Sequence, residues 1–314
     1  MSEPARIRGA SAVEGAADGS AGILLGRGHH RLAGAFAERP LALASLAFFV
    51  ALCLLALLAP LISPQNPYDL ASLNLLDSRL APGAQGFSGA TYLLGTDGQG
   101  RDMLSAILYG LRISLWVGLS SSVVAMCFGT VMGLVAGYSG GRIDSAIMRL
   151  VDLQLSIPSI LVALVLLAVL GRGADKIIVA LVAVQWVYFA RTVRGAALVE
   201  RKKEYVYACR MLGYSGARIL FGHILHNVMP PATVVATVSF ATAISLEATL
   251  SFLGVGMPIT EPSLGLLIAN GFSYLMNGEY WISIYPGLAL LVVVFCLNLL
   301  SDELRDILNP RLQK

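Results

Sequence analysis

The chain has 314 residues, 56% of them hydrophobic and 13% charged, with 22 basic against 19 acidic side chains. Soluble domains carry about 25% charged residues, so this composition excludes a water-facing globule and fits an all-α polytopic membrane protein. A net charge of +3 is too small to point to nucleic acid as a partner.

Residues 1–38 are rich in Ala, Gly and Arg and lack an apolar core. They read as a cytoplasmic tail, largely disordered, with His29 and His30 as a solvated pair. Residues 39–314 then read as one membrane domain. The first span, 41–62, is uncharged and meets the ~20 residues a bilayer requires. No Ala-x-Ala-like site follows it, so it is expected to stay on the chain. Residues 63–105 form a polar outer segment with irregular structure and short helices. At its end Gly95, Gly98 and Gly100 allow turns, and Asp102 is placed to cap the next helix. Asp97, Arg101 and Asp102 can hold that corner by charge-assisted hydrogen bonds.

The second span, 111–138, carries Gly129, Gly133 and Gly137 at four-residue spacing. Such a stripe lets a neighbouring helix approach closely; the alternative is lipid-facing glycine. Arg142, Asp144, Arg149 and Asp152 mark a short cytoplasmic connection. The third span, 153–171, contains Pro158, expected to kink it. Arg172, Asp175 and Lys176 form an outer turn. The fourth span, 177–198, ends with Arg191 and Arg194 snorkelling to the cytoplasmic interface.

A polar loop, 199–230, separates the fourth and fifth spans. It reads as a short helix from Glu204, a corner at Gly213, and a second helix capped by Ser215, running back into apolar sequence at Pro230–Pro231. Gly213 supplies the positive φ of a helix C-terminus. Basic residues crowd this loop, placing it in the cytoplasm. The fifth span, 231–253, holds Glu247. An ionisable side chain there faces a water-filled path or the bundle interior, and both readings stay open. The sixth span, 281–300, leads into a polar tail, with Asp302 placed to cap its last turn. The charge bias puts both termini in the cytoplasm. Cys53, Cys127, Cys209 and Cys296 lack CxxC spacing and read as free thiols. His223 and His226 have no third ligand near them, so no metal site is expected.

Two stretches resemble one family. YLLGTDGQGRDMLSAILYGLRISLWVGL, 92–119, is similar to the signature of dipeptide/oligopeptide permeases of ABC importers, at Leu94, Gly95, Thr96, Asp97, Gly100, Arg101, Asp102, Ser105, Tyr109, Gly110, Arg112, Ser114 and Leu115. The second resembles the family's EAA loop: Tyr207-Ala208-Cys209, then Gly213, then His223-Ile224-Leu225, with Glu204, Arg210 and Ser215 in the same stretch. Tyr207 stands where the loop has its acid, and His226 where it has proline. The run around Glu247 and the tail SDELRDILNPR are similar to family segments as well.

The resemblance implies the C-type permease subunit of a binding-protein-dependent peptide importer, with the six-helix type I fold, in the bacterial cytoplasmic membrane. It implies that the EAA loop docks on an ATPase. It also implies partners: a homologous second permease, two cytosolic ATPases, an extracytoplasmic solute-binding protein and membrane lipid. No G-x-x-x-x-G-K-[ST] loop occurs here, so ATP is left to the ATPases and no cofactor is expected on this chain. A permease for nickel or another small solute of the same family is the alternative. A secondary transporter lacks its expected inverted repeat. An intramembrane enzyme lacks H-E-x-x-H and G-x-S-x-G.

Overall fold

A computed structural model describes residues 39–69, 73–87 and 89–308. The expected tail, 1–38, and residues from Asn309 onward lie outside the described residues. Helix α1 (Pro40–Leu57) opens with proline at its first turn, where the missing N–H is not needed. A short α2 (Ala59–Ile62) completes the predicted first span. The segment that follows contains a 3-10 turn at Leu75–Asp77 and a small hairpin of β1 (Ala84–Gln85) and β2 (Thr91–Tyr92).

Helix α3 (Met103–Ser139) has 37 residues. It starts where predicted: Asp102 accepts from the Ser105 N–H at 2.8 Å. Next come α4 (Gly141–Leu155) and α5 (Ser159–Leu170), which meet at 90°. This corrects two expectations. The short connection after the second span is a fifteen-residue helix, and the apolar run 153–171 is broken at Pro158 between the end of α4 and α5 rather than gently kinked. Pro158 disfavours helical geometry at Ile157, so the chain turns there rather than bending. The twelve residues of α5 rise only about 18 Å, against a hydrocarbon core of about 30 Å.

Helix α6 (Ala174–Glu200) leads to α7 (Glu204–Met211) and α8 (Gly216–Ile219). A π-helical turn at Leu220–Ile224 joins α8 to α9 (Leu225–Phe252). The expected boundary at Pro230–Pro231 is absent, because both prolines lie inside α9. Each removes one ladder hydrogen bond, yet the helix continues through them. Then follow α10 (Leu264–Phe272), a 3-10 turn at Leu275–Asn277, and α11 (Trp281–Leu308). Asp302 lies within α11 and caps nothing.

Among the described residues five helical stretches are long and apolar enough to cross a membrane: α1, α3, α6, α11 and the continuous run Gly216–Phe252. The bent pair α4–α5 makes six if counted as one broken span.

The core is built around α3 and α6. A Cβ added at Gly133 would stand 2.5 Å from the Ala190 carbonyl oxygen, and one at Gly137 would stand 2.7 Å from Ala197 Cβ. Gly129 meets the Trp186 carbonyl in the same way. The glycine stripe therefore seats α6 backbone-close on α3, within this chain. Leu134, Val193 and Ala197 at the end of that seam pack on Val206, Ile219, Ile224 and Val228. That cluster fixes the 204–225 segment against the bundle.

Candidate functional site

The 204–225 segment has two faces. Helix α7 carries Glu204 in its first turn and Arg210 in its last, signs that suit the helix dipole. Gly213 adopts φ 77°. Its N–H donates to the Arg210 carbonyl at 3.0 Å, and the Tyr214 N–H donates to the Cys209 carbonyl at 3.1 Å. These two bonds are the Schellman arrangement that ends a helix on a left-handed residue. Ser215 then accepts from the Arg218 N–H at 3.4 Å and opens α8.

Val206 and Ile224 are fully buried, and Cys209 and Leu225 pack partly against their cluster. The opposite face is open. Tyr207 is 53% exposed, Met211 89% and Leu212 73%, with Ala208 beside them. Arg210 lies over the Tyr138 ring at 5.3 Å, and Arg218 over Tyr214 at 4.8 Å. The segment is thus a rigid corner, anchored on one side and offering apolar side chains rimmed by arginine on the other. His223 stacks on Tyr214 at 5.9 Å between ring centres.

Sequence reasoning missed a polar hub beside this corner. Glu200, at the end of α6, is 8% exposed. It accepts from Lys203 Nζ at 2.6 Å and from the Tyr205 hydroxyl at 2.8 Å. The Tyr205 oxygen in turn accepts from Asn227 Nδ2 at 3.1 Å. Burial and the neighbouring Glu200 push the Tyr205 phenol above its usual range, so it stays protonated and donates to the carboxylate. The available signal was an acid closing an apolar helix two residues before a lysine pair.

The 95–114 signature builds a second knot. Gly95 and Gly100 have φ 79° and 78°, and side chains there would run into the Leu80 and Asn74 carbonyls. The Thr96 hydroxyl donates to the Asp77 carbonyl at 2.5 Å. Asp97 pairs with Arg101 Nε at 2.7 Å, with both side chains buried. Arg101 Nη1 also donates to the Ile259 carbonyl at 3.3 Å. Asp102 does not join that pair, contrary to expectation; its carboxylate is taken up by Ser105. Arg112 is exposed on α3. Ser114 turns inward and donates to Glu247 at 2.9 Å.

Glu247 is fully buried. An open cavity of about 1290 Å³ lies along α6, α9 and the end of α11, bordered by Gln185, Tyr188, Asn227, Pro231, Thr242 and Asp302 among others. Glu247 is not on its wall.

Residues 129–314 match the family described as "Binding-protein-dependent transport system inner membrane component". Residues 33–82 match "N-terminal TM domain of oligopeptide transport permease C". The chain is 38% identical to the di/tripeptide transport system permease protein DppC of Pseudomonas aeruginosa, over 88% of this chain and 90% of that one. It is 35% identical to the oligopeptide transport system permease protein OppC of Bacillus subtilis, over 89% and 88%. A putative peptide transport system permease protein of Brucella suis is 41% identical over 72% and 75%. An inward-facing structure of the MetNI methionine ABC transporter superposes with a TM-score of 0.49 at 20% identity, covering 66% of this chain and 98% of that one. Given the family matched over its C-terminal half and the identities sustained along most of its length, the chain belongs to the binding-protein-dependent transport system inner membrane components, the multi-pass permease subunits of bacterial ABC importers.

Proposed function

We propose that this chain is one of two homologous permease subunits of an ATP-driven peptide importer, and that the 204–225 corner is where it meets its ATPase. The peptide substrate is supported by the names of relatives that align with nearly nine tenths of the chain. One observation carries the coupling role. A short helix is fixed to the bundle by Val206, while Tyr207, Met211 and Leu212 stand out at its tip. An apolar tip with a basic rim suits insertion into a cleft on a soluble partner.

In this reading a binding protein delivers peptide from outside. ATP binding closes two ATPase subunits, and α7 transmits that closure to the bundle as alternating access. The path forms between the two subunits, and the cavity along α6 and α9 is the part of its wall that this chain supplies. This chain binds no nucleotide and performs no chemistry.

The test is a cysteine at Ala208 and another in the facing ATPase groove, in a complex co-expressed with its genomic neighbours. The expected result is a cross-link in a complex that imports a labelled dipeptide into proteoliposomes on ATP addition. An active complex in which no Ala208 cross-link forms overturns the docking assignment. Import of nickel but not of any peptide overturns the substrate.

A further inference from the structure

Helix α9 is soft at two places near its start. The π-helical turn Leu220–Ile224 precedes Asn227, and Pro230–Pro231 follows it. A π turn and prolines each leave the helix ladder incomplete. Asn227 therefore sits on a short stretch that can tilt on its own, and Asn227, Pro230 and Pro231 all border the large cavity. This stretch is held to α7 by the bond from Asn227 to the Tyr205 hydroxyl at 3.1 Å. The same phenol donates to Glu200 on α6 at 2.8 Å. A phenol has a single proton, so the direction of the relay is set: Asn227 donates, Tyr205 accepts, and Tyr205 donates to Glu200.

We propose that Tyr205 is a positioning residue of the transport cycle, locking α7 to both α6 and α9 so that a push on α7 reaches the cavity wall at Asn227. The proposal rests on α7 being the helix that meets the ATPase. Without the phenol, α7 and this stretch of α9 keep their apolar packing around Val206 and Val228 but lose the directional bond between them. The ATPase then cycles with less of its motion reaching the wall.

The experiment uses the full complex in proteoliposomes and reads ATP hydrolysed per labelled dipeptide imported, together with co-purification of the subunits. Tyr205→Phe removes one oxygen and leaves the ring in place. The complex is expected to assemble and hydrolyse ATP, while the ATP consumed per peptide rises at least about fivefold, the scale of one ordinary hydrogen bond. Asn227→Ala, which breaks only the bond to α9, is expected to raise the ratio as well, and the double variant to be no worse than Tyr205→Phe alone, because that change already removes the bond from Asn227. Should Tyr205→Phe fail to assemble, Asn227→Ala decides alone, since it breaks the same link from an exposed side chain. An unchanged ratio in the assembled variants, or effects that multiply in the double, overturns the proposal. Failure of the parent complex to cross-link at Ala208 instead overturns the docking assignment, so the two failures are distinct.

Discussion

Glu247 on α9 accepts a hydrogen bond from Ser114 on α3, 2.9 Å away and 133 positions earlier. Ser251 donates to the other carboxylate oxygen at 2.8 Å and accepts from the Met257 N–H at 3.3 Å. The carboxyl group thus ties two membrane helices and the chain after α9 to one point. A glutamine there keeps an acceptor for one serine and offers a donor to the other. Leucine takes the acceptor away from both serine O–H donors, at about 1–3 kcal/mol for a buried group left unpaired. Thermal unfolding of the detergent-solubilised protein should place Glu247→Gln near the parent and Glu247→Leu clearly below it. Equal stability of the leucine variant would remove the structural role. An assembled glutamine variant that no longer imports would put the carboxylate on the path.

Asp97 and Arg101 form a pair that tolerates no half measures. Both side chains are buried, and Arg101 Nη2 has no partner. Removing one member leaves an uncompensated charge, which costs about 3–5 kcal/mol. Asp97→Asn should therefore sharply lower the yield of folded protein. The double change Asp97→Leu with Arg101→Met should recover part of it, because neither half of the pair is then left as a buried charge without its partner. Fluorescence-detected size exclusion on whole-membrane extracts reads both. A single variant with parental yield would contradict the burial of the pair.

Gly133 sets how closely α3 and α6 pack. A methyl group would stand 2.5 Å from the Ala190 carbonyl oxygen, whereas nothing lies within 4 Å of one placed at Gly195 or Gly287. Gly133→Ala should destabilise by about 1–3 kcal/mol, the usual cost of overpacking. Gly195→Ala and Gly287→Ala should not, since alanine also favours helix. Melting temperatures of the three variants in one detergent make the comparison, and equal values would mean the seam is loose.

Much of this was legible in the sequence because it is local. Asp102, Gly213 and Ser215 act on groups within five residues, and the glycines at 129, 133 and 137 announce a close helix contact by spacing alone. Pro158 was visible but not its consequence: the apolar run from 153 to 171 is continuous in composition whether the chain kinks or turns through 90°. Pro230 and Pro231 resembled a helix start because the helix N-terminal to them is polar. Only the structure shows one helix passing from polar to apolar surroundings. Of the Glu200–Tyr205–Asn227 hub only the acid before the lysine pair was visible; its reach to Tyr205 and Asn227 was not, since it joins three helices through side-chain contacts that no spacing announces.

The orientation expected from the charge bias is open to a direct test. Ala217, in the basic segment, and Gly89, in the hairpin before α3, are predicted to lie on opposite sides of the membrane. Single cysteines there, in a background without the four native ones, should react differently with an impermeant maleimide added to intact cells. Gly89→Cys should label and Ala217→Cys should label only after lysis. The reverse pattern would invert the whole arrangement.

Gly213 separates backbone geometry from docking. Its φ is 77°, and a Cβ there would meet nothing within 4 Å. Any intramolecular cost of a side chain is therefore backbone strain, roughly 1–2 kcal/mol for an ordinary residue. Asparagine and aspartate tolerate this conformation best and have the same shape. They differ in one charge, next to the exposed Leu212 at the tip of the corner. Gly213→Asn should assemble and import nearly as the parent does. Gly213→Asp should assemble its membrane subunits equally well but lose import, because a carboxylate at an apolar contact is desolvated without a partner. Gly213→Val, which cannot hold positive φ without strain, should lose import through the backbone instead. Uptake of labelled dipeptide, with co-purified ATPase measured in parallel, distinguishes the three. Equal import by the asparagine and aspartate variants would show that the corner touches water throughout the cycle, and the docking assignment would fall with it.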